Sequence, residues 1–206
     1  IVLMTSCGEY QSLLKSNDYN LVYKKAIEYY NKGDYQRAMN LLDGVRSVFV
    51  GQAKAQNIAY YRAFCSYNMK DYQIASDLFK QFIQTYPESS FAEECLYMMG
   101  FCDYKASPKP RLDQQVTEKA IREFQLYLSR YPYSMRKDKV NTYMDEMRDK
   151  LSYKAYLSAK NYYLREHYKA AVISLQNCLK DYPGSKYREE IMYMLFVSKY
   201  QMAVNS

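Results

Sequence analysis

The 206-residue sequence has no tryptophan, only 6 glycines and 5 prolines, a single histidine and no run of 18 apolar residues. Each shortage closes off a class of protein. So few glycines and prolines leave too few positions for the tight turns of an all-β fold. Without an apolar run of that length, no segment reads as a membrane-spanning helix. His167 stands alone, and none of the five cysteines forms a CxxC pair, so no zinc site can be assembled at usual spacing. The sequence contains no GxGxxG, P-loop, GxSxG or HExxH signature. No cofactor is therefore expected, and the chain does not read as an enzyme. The charge balance is +7, from 29 basic and 22 acidic residues, but no block of five like charges concentrates the excess. Nucleic acid is accordingly not an expected partner.

What the chain has in plenty is apolar and tyrosyl surface. Apolar residues make up 49% of it, and 26 residues are tyrosine. Tyrosine combines a large apolar body with a polar tip, which suits half-buried helix faces and polypeptide-binding surfaces. Besides Cys7 there are four cysteines, Cys65, Cys95, Cys102 and Cys178; Cys95 and Cys102 are seven apart on one helix face and read as small buried hydrophobes. The even count of four leaves disulfides open in an oxidising compartment.

The N-terminus carries a separate signal. Ile1-Val2-Leu3-Met4-Thr5-Ser6-Cys7 is an apolar stretch, then small residues, then cysteine. This looks like the end of a bacterial lipoprotein signal, in which cleavage before the cysteine frees it for lipid attachment. Residues 1–6 are thus expected to be a signal-peptide remnant, Cys7 the lipidated residue, and 7–20 a polar tether.

Self-similarity dominates the rest. Phe79 to Ser89, Phe124 to Ser134 and Leu175 to Ser185 each run an apolar helical pattern into Tyr-Pro, followed two residues later by Ser. Proline ends a helix, and that Ser can cap the next one. Upstream lie the short polar turns Lys32-Gly33-Asp34-Tyr35, Met69-Lys70-Asp71-Tyr72 and Arg165-Glu166-His167-Tyr168. Ala38, Ala75 and Ala171 follow them at a fixed distance, and Ala120 fills the same place in the third copy. A small residue there lets two helices approach closely. Tetratricopeptide units have this helix-turn-helix plan, at about 34 residues each. The expected fold is all-α: one solenoid domain over 21–206, of about five units with the last incomplete.

Two expansions interrupt the period. Lys105 to Val116 is a loop containing Pro108 and Pro110, with Asp113 or Thr117 expected to cap the next helix. Between Arg136 and Arg165 there is neither Gly nor Pro, which predicts one helix of about 28 residues, roughly 42 Å long. A helix of that length is expected to extend past its hairpin partner. Tyr187 to Val204 reads as the first helix of a fifth unit whose open face a partner or further chain would cover. The acidic pairs Glu93-Glu94 and Glu189-Glu190 sit where they complement a helix dipole. His167 reads as a structural turn residue, and Met98-Met99 as packing.

With the lipoprotein cysteine, the Tyr-Pro-x-Ser repeats, the looped third unit and the long helix in hand, the sequence resembles the BamD family of outer-membrane assembly lipoproteins from Cys7 onward. The resemblance implies a scaffold lipid-anchored to the outer membrane of a Gram-negative bacterium and facing the periplasm. In that family the C-terminal units bind the BamA barrel protein and the N-terminal units receive segments of unfolded outer-membrane proteins. Carried onto this chain, it suggests Tyr35, Phe49, Tyr60 and Tyr97 for the substrate-segment surface, and Tyr163, Arg165, Tyr168 and Lys169 for the partner interface. The chain departs from the pattern in its first unit, where Val48-Phe49-Val50-Gly51 replaces Tyr-Pro, and in its incomplete fifth unit. A different periplasmic repeat lipoprotein, coordinating division or peptidoglycan, is the competing reading. Such proteins commonly lack the Pro108/Pro110 loop.

Overall fold

The computed structural model describes residues 5–204, with side chains from Gly8 onward. The segment 1–6 expected to be a signal remnant, and the Cys7 thiol, therefore lie outside the described side chains. Ten helices and no strand occur among the described residues: α1 (Thr5–Leu14), α2 (Tyr19–Asn31), α3 (Tyr35–Val45), α4 (Ala53–Asn68), α5 (Tyr72–Thr85), α6 (Ala92–Ala106), α7 (Gln115–Arg130), α8 (Lys137–Leu164), α9 (Tyr168–Asp181) and α10 (Arg188–Val204). The fold is an all-helical repeat of consecutive helix pairs. The pairs fall into two compact units, Ile1–Ala106 with Lys119–Ser134, and Ser107–Glu118 with Met135–Ser206.

The hairpin turns share one construction. Gly33, Lys70 and Glu166 adopt left-handed φ angles of +82°, +68° and +59°. The next amide then closes back on the preceding helix: Asp34 N to the Tyr29 carbonyl, Asp71 N to Ser66 and His167 N to Tyr162, each at 3.0 Å. Such a left-handed closure satisfies carbonyls that would otherwise be orphaned at the helix end. Asp34 then starts α3 by accepting the Arg37 amide at 3.2 Å. Behind each turn Ala38, Ala75 and Ala171 are fully buried, as is Ala120 in the third copy. At the far ends, Tyr86 and Tyr182 leave the helical region with ψ of 61° and 67°, because each precedes a proline. Ser89 and Ser185 accept the amides of Phe91 and Tyr187 at 3.2 Å. Ser134 is engaged differently, by Tyr127 at 2.6 Å and Glu93 at 2.7 Å.

In the first unit the segment read as a tether is partly helical. Tyr10 and Leu13 of α1 are buried against the core built on Val22, Ala26, Leu41 and Leu42. The Asn40 amide donates to Tyr10 Oη at 3.1 Å, and the Arg37 guanidinium lies 5.3 Å from the Tyr10 ring.

In the second unit α8 spans the predicted 28 residues. It does not stand free along its length, since buried residues recur from Val140 to Ala159. The proline loop accounts for part of this cover. Lys150 Nζ donates to Ser107 Oγ at 2.6 Å and Lys154 Nζ to the Leu112 carbonyl at 2.8 Å. Inside the loop, the Gln114 amide donates to the carbonyls of Lys109 and Leu112, and Gln114 Oε1 accepts from Thr117. Neither expected residue occupies the cap position, which is Gln114, whose carbonyl accepts the Glu118 amide at 3.0 Å; Asp113, one residue earlier, accepts the Gln115 amide at 2.9 Å. Thr117 lies inside α7, fully buried in that network. Leu175 and Ile191 join Tyr156 and Ala159 in the core of the unit, while Tyr193, Phe196 and Tyr200 of α10 face outward.

All four described cysteines are free thiols and buried. Burial pushes Cys65 and Cys95 up to about 12, and raises Cys102 and Cys178 as well.

Candidate functional site

Helical spacing gathers the aromatics of the first unit into a continuous ladder. Tyr35 meets Tyr30 at 5.5 Å between ring centroids, Tyr30 meets Tyr61 at 4.9 Å, and Tyr61 meets Tyr60 at 5.6 Å. The series continues through Phe64 at 4.5 Å and Tyr67 to Phe101, which stacks on Tyr97 at 5.6 Å. Edge-to-face and offset pairs of this kind each contribute about 0.5–1.5 kcal/mol beyond the area they bury. Burial raises the Tyr30 and Tyr60 hydroxyls to about 12, so both stay neutral throughout the physiological range.

Three of the four tyrosyl and phenyl positions suggested for a substrate surface thus belong to one ladder, at different depths. Tyr35 and Tyr60 are half-buried, whereas Tyr97 is 7% exposed. Phe49 stands apart from them at 4% exposure, packed on Tyr23 beneath the Lys54 ammonium. Two residues on, the chain turns at Gly51, whose φ is +79°, in place of a Tyr-Pro stop. Phe49 and Tyr97 are therefore core residues and not exposed anchors.

A second constellation was missed in the sequence. Lys119 Nζ lies 2.8 Å from Asp103 Oδ2, 3.7 Å from Glu123 Oε1 and 3.8 Å from Asp77 Oδ1. Ser76 donates to the same Asp103 oxygen at 3.0 Å. Asp103 is 2% exposed and Glu123 9%, and Glu123 Oε2 has no hydrogen-bond partner among the described residues. Burial would lower Lys119, but its hydrogen bond to Asp103 and the charges of Glu123 and Asp77 outweigh that and raise it. Burial, reinforced by Asp103, pushes the Glu123 carboxyl up to about 8. A cleft of about 360 Å³ opens beside this cluster, lined by Ile83, Leu96, Met99 and Leu126 with Lys80 and Arg122. Available signals were an aspartate ending the apolar run Met98 to Cys102 and the i,i+4 pair Lys119–Glu123.

The raised Glu123 carboxyl fixes the sign of a pH dependence. The folded chain holds this proton more tightly than the unfolded chain, whose carboxyl titrates near its ordinary 4.5. The stability linked to the proton is complete below about 4.5 and is lost as pH rises through about 8. Unfolding free energies from urea titrations between pH 5 and 9 are expected to fall for the native sequence by an amount on the order of a few kcal/mol. In Glu123→Gln the fall should be much smaller. Identical slopes for the two proteins would exclude Glu123 as the titrating group.

In the second unit the α8–α9 turn brings the suggested partner residues together. Tyr163 and Tyr168 are half-buried, Arg165 and Lys169 exposed. Glu166, in its left-handed conformation, fixes the turn between them. His167 is the residue before α9, and its side chain makes no capping bond.

Among the described residues no group of three or more His, Cys, Asp or Glu could hold a metal ion, and no helix is long and apolar enough to cross a membrane. The arrangement offers helical faces, aromatic anchors and charged turns, the equipment of a polypeptide-binding repeat. No curated relative matches the chain at a significant level. A family model described as "YfiO: Outer membrane lipoprotein" matches residues 15–206. That match takes in α2 to α10, every repeat turn and the proline loop, and the chain accordingly belongs to the YfiO family of BamD-like outer membrane lipoproteins.

Proposed function

We propose that the protein is the scaffold lipoprotein of a β-barrel assembly complex in the outer membrane, non-catalytic, facing the periplasm and anchored by lipid on Cys7. The observation that carries this reading is the family match over residues 15–206, which extends through both units of an all-helical repeat. The C-terminal units would bind a BamA-like barrel protein at the turn bearing Tyr163, Arg165, Tyr168 and Lys169. Such a turn offers two half-buried tyrosines together with two exposed cations, and Tyr and Arg are enriched among residues that dominate binding energy. The N-terminal unit would receive segments of unfolded outer-membrane proteins at the exposed edges of Tyr35 and Tyr60, while Phe49 and Tyr97 belong to the core. Paired helices of this kind accept extended or helical segments along their faces.

The direct test is a pull-down from detergent-solubilised outer membranes, using the lipidated chain tagged at its C-terminus. The expected result is recovery of the large barrel assembly protein, reduced about tenfold or more by Arg165→Glu or Tyr168→Ala, since truncating a central anchor costs about 2 kcal/mol or more. Recovery of division or peptidoglycan proteins without any barrel would instead place the chain in a different envelope assembly.

A further inference from the structure

A groove of about 790 Å³ runs along α8 of the second unit, with Arg111 of the proline loop and Tyr187, the residue before α10, completing its lining; it falls within the size range of about 300–1,000 Å³ typical of ligand pockets. One wall is a stack of three tyrosines. Tyr156 and Tyr187 lie face to face at 4.3 Å with 12° between their planes, and Tyr153 stacks on Tyr187 at 5.3 Å. The cations of the lining are Arg111 from the proline loop and Lys154 and Lys160, six residues apart on α8, and Leu157 and Leu164 stand among them. Leu164 is 67% exposed, an unusual position for a leucine at the end of a long helix.

The polar groups of this groove are not used up by the fold. Arg111 makes no ion pair or hydrogen bond through its side chain among the described residues, and neither does the side-chain amide of Asn161. Lys154 gives one of its three donors to the Leu112 carbonyl and keeps two. Lys160 is already paired with Glu190 at 2.7 Å and with the Tyr156 hydroxyl. No carboxylate lines the groove itself. The second unit as a whole carries 15 basic and 10 acidic residues, the larger share of the +7 net charge.

This pattern selects among anions. A polyphosphate or a lipid headgroup would want its cations clustered, and here they are spread along an apolar wall with Glu190 at the rim. Bases of a nucleic acid would need free ring faces, and the faces of Tyr156 and Tyr187 are spent on each other. A polypeptide meets all the conditions. Its carboxylates pair with Arg111 and Lys154, its backbone finds one donor and one acceptor in the Asn161 amide, and a large side chain covers Leu157 and Leu164.

We propose that this groove is a docking site for an extended acidic polypeptide segment carrying an apolar side chain. The site is built from residues of the second unit alone, and it stands whether or not the assembly reading holds.

Fluorescence anisotropy with the full chain and a labelled twelve-residue peptide, glutamates flanking a central pair of leucines, tests it without any other envelope protein. Binding is expected to weaken about tenfold in Arg111→Glu, equivalent to about 1.4 kcal/mol, and several-fold in Leu164→Ser. It should also weaken steeply as salt rises from about 50 to 300 mM, since the pairs are solvent-exposed. Lys24→Glu, on an exposed face of the first unit, should bind like the native protein. Arg111 holds no part of the fold, so its variant stays informative even if Lys154→Glu loosens the loop. Equal binding of a peptide with glutamine for glutamate, or an unaltered affinity in Arg111→Glu, would overturn the proposal. So would phosphatidylglycerol vesicles displacing the peptide with the same dependence on Arg111, which would make an anionic lipid surface the occupant.

Discussion

Lys119→Met is expected to lower the stability of the first unit by about 2–4 kcal/mol. Removing one member of a buried ion pair commonly costs about 3–5 kcal/mol, because the remaining charge is left without compensation. Asp103 is nearly inaccessible at 2% exposure and would keep only the Ser76 hydroxyl. The Lys119 side chain is 35% exposed, so water can replace part of what the ammonium supplies, which places the effect at the lower end. Methionine preserves the packing of the lysine stem and isolates the charge. Adding Asp103→Asn should restore most of the loss, since the buried group is then neutral and Ser76 can still donate to it. A coupling energy near zero in that double-mutant cycle, measured by urea unfolding, would show that the pair is not a structural unit.

Gly100→Ala is expected to destabilise the same unit by about 1–3 kcal/mol, against the usual direction for such a change in a helix. Alanine at a helix interior ordinarily gains about 1 kcal/mol over glycine. Here a methyl group would lie 2.8 Å from Phe124 Cδ1 and 3.0 Å from Cε1. The Phe124 ring is fully buried, so it cannot simply swing aside. Overpacking of this kind typically costs about 1–3 kcal/mol. For a chain of this length each kcal/mol moves the melting temperature by about 2–4 °C. A melting temperature equal to or above that of the native protein would mean that α6 and α7 can part without loss, and that the close approach is not required.

The two predictions fall on residues that the sequence revealed unequally. Gly100 follows Met98-Met99, which read as packing residues, but nothing local says that an aromatic ring fills the space above it. The repeat itself was legible because its signals are local. A left-handed residue, a buried alanine five residues on and a Tyr-Pro stop are each set by local backbone geometry. The long α8 was legible for the same reason. Its lack of free length was not, because the cover comes from Lys150 and Lys154 reaching a loop some forty residues away in sequence. Distance in sequence also hid the Asp103–Lys119–Ser76 cluster, whose members sit on three different helices. The aromatic positions were half legible. Composition pointed to tyrosines as surface anchors, yet whether a given ring is an edge or a core member depends on its neighbours, and Phe49 and Tyr97 turned inward.

The four buried thiols have a use of their own. Only a thiolate reacts with an alkylating reagent, and these groups are both shielded and disfavoured from ionising. Each can therefore be modified only during a moment when its helix swings out or melts. Cys65 on α4, Cys95 and Cys102 on α6 and Cys178 on α9 then act as separate clocks, ticking at the opening frequency of their own helix. Their relative rates would rank which parts of the repeat breathe and which open only with complete unfolding.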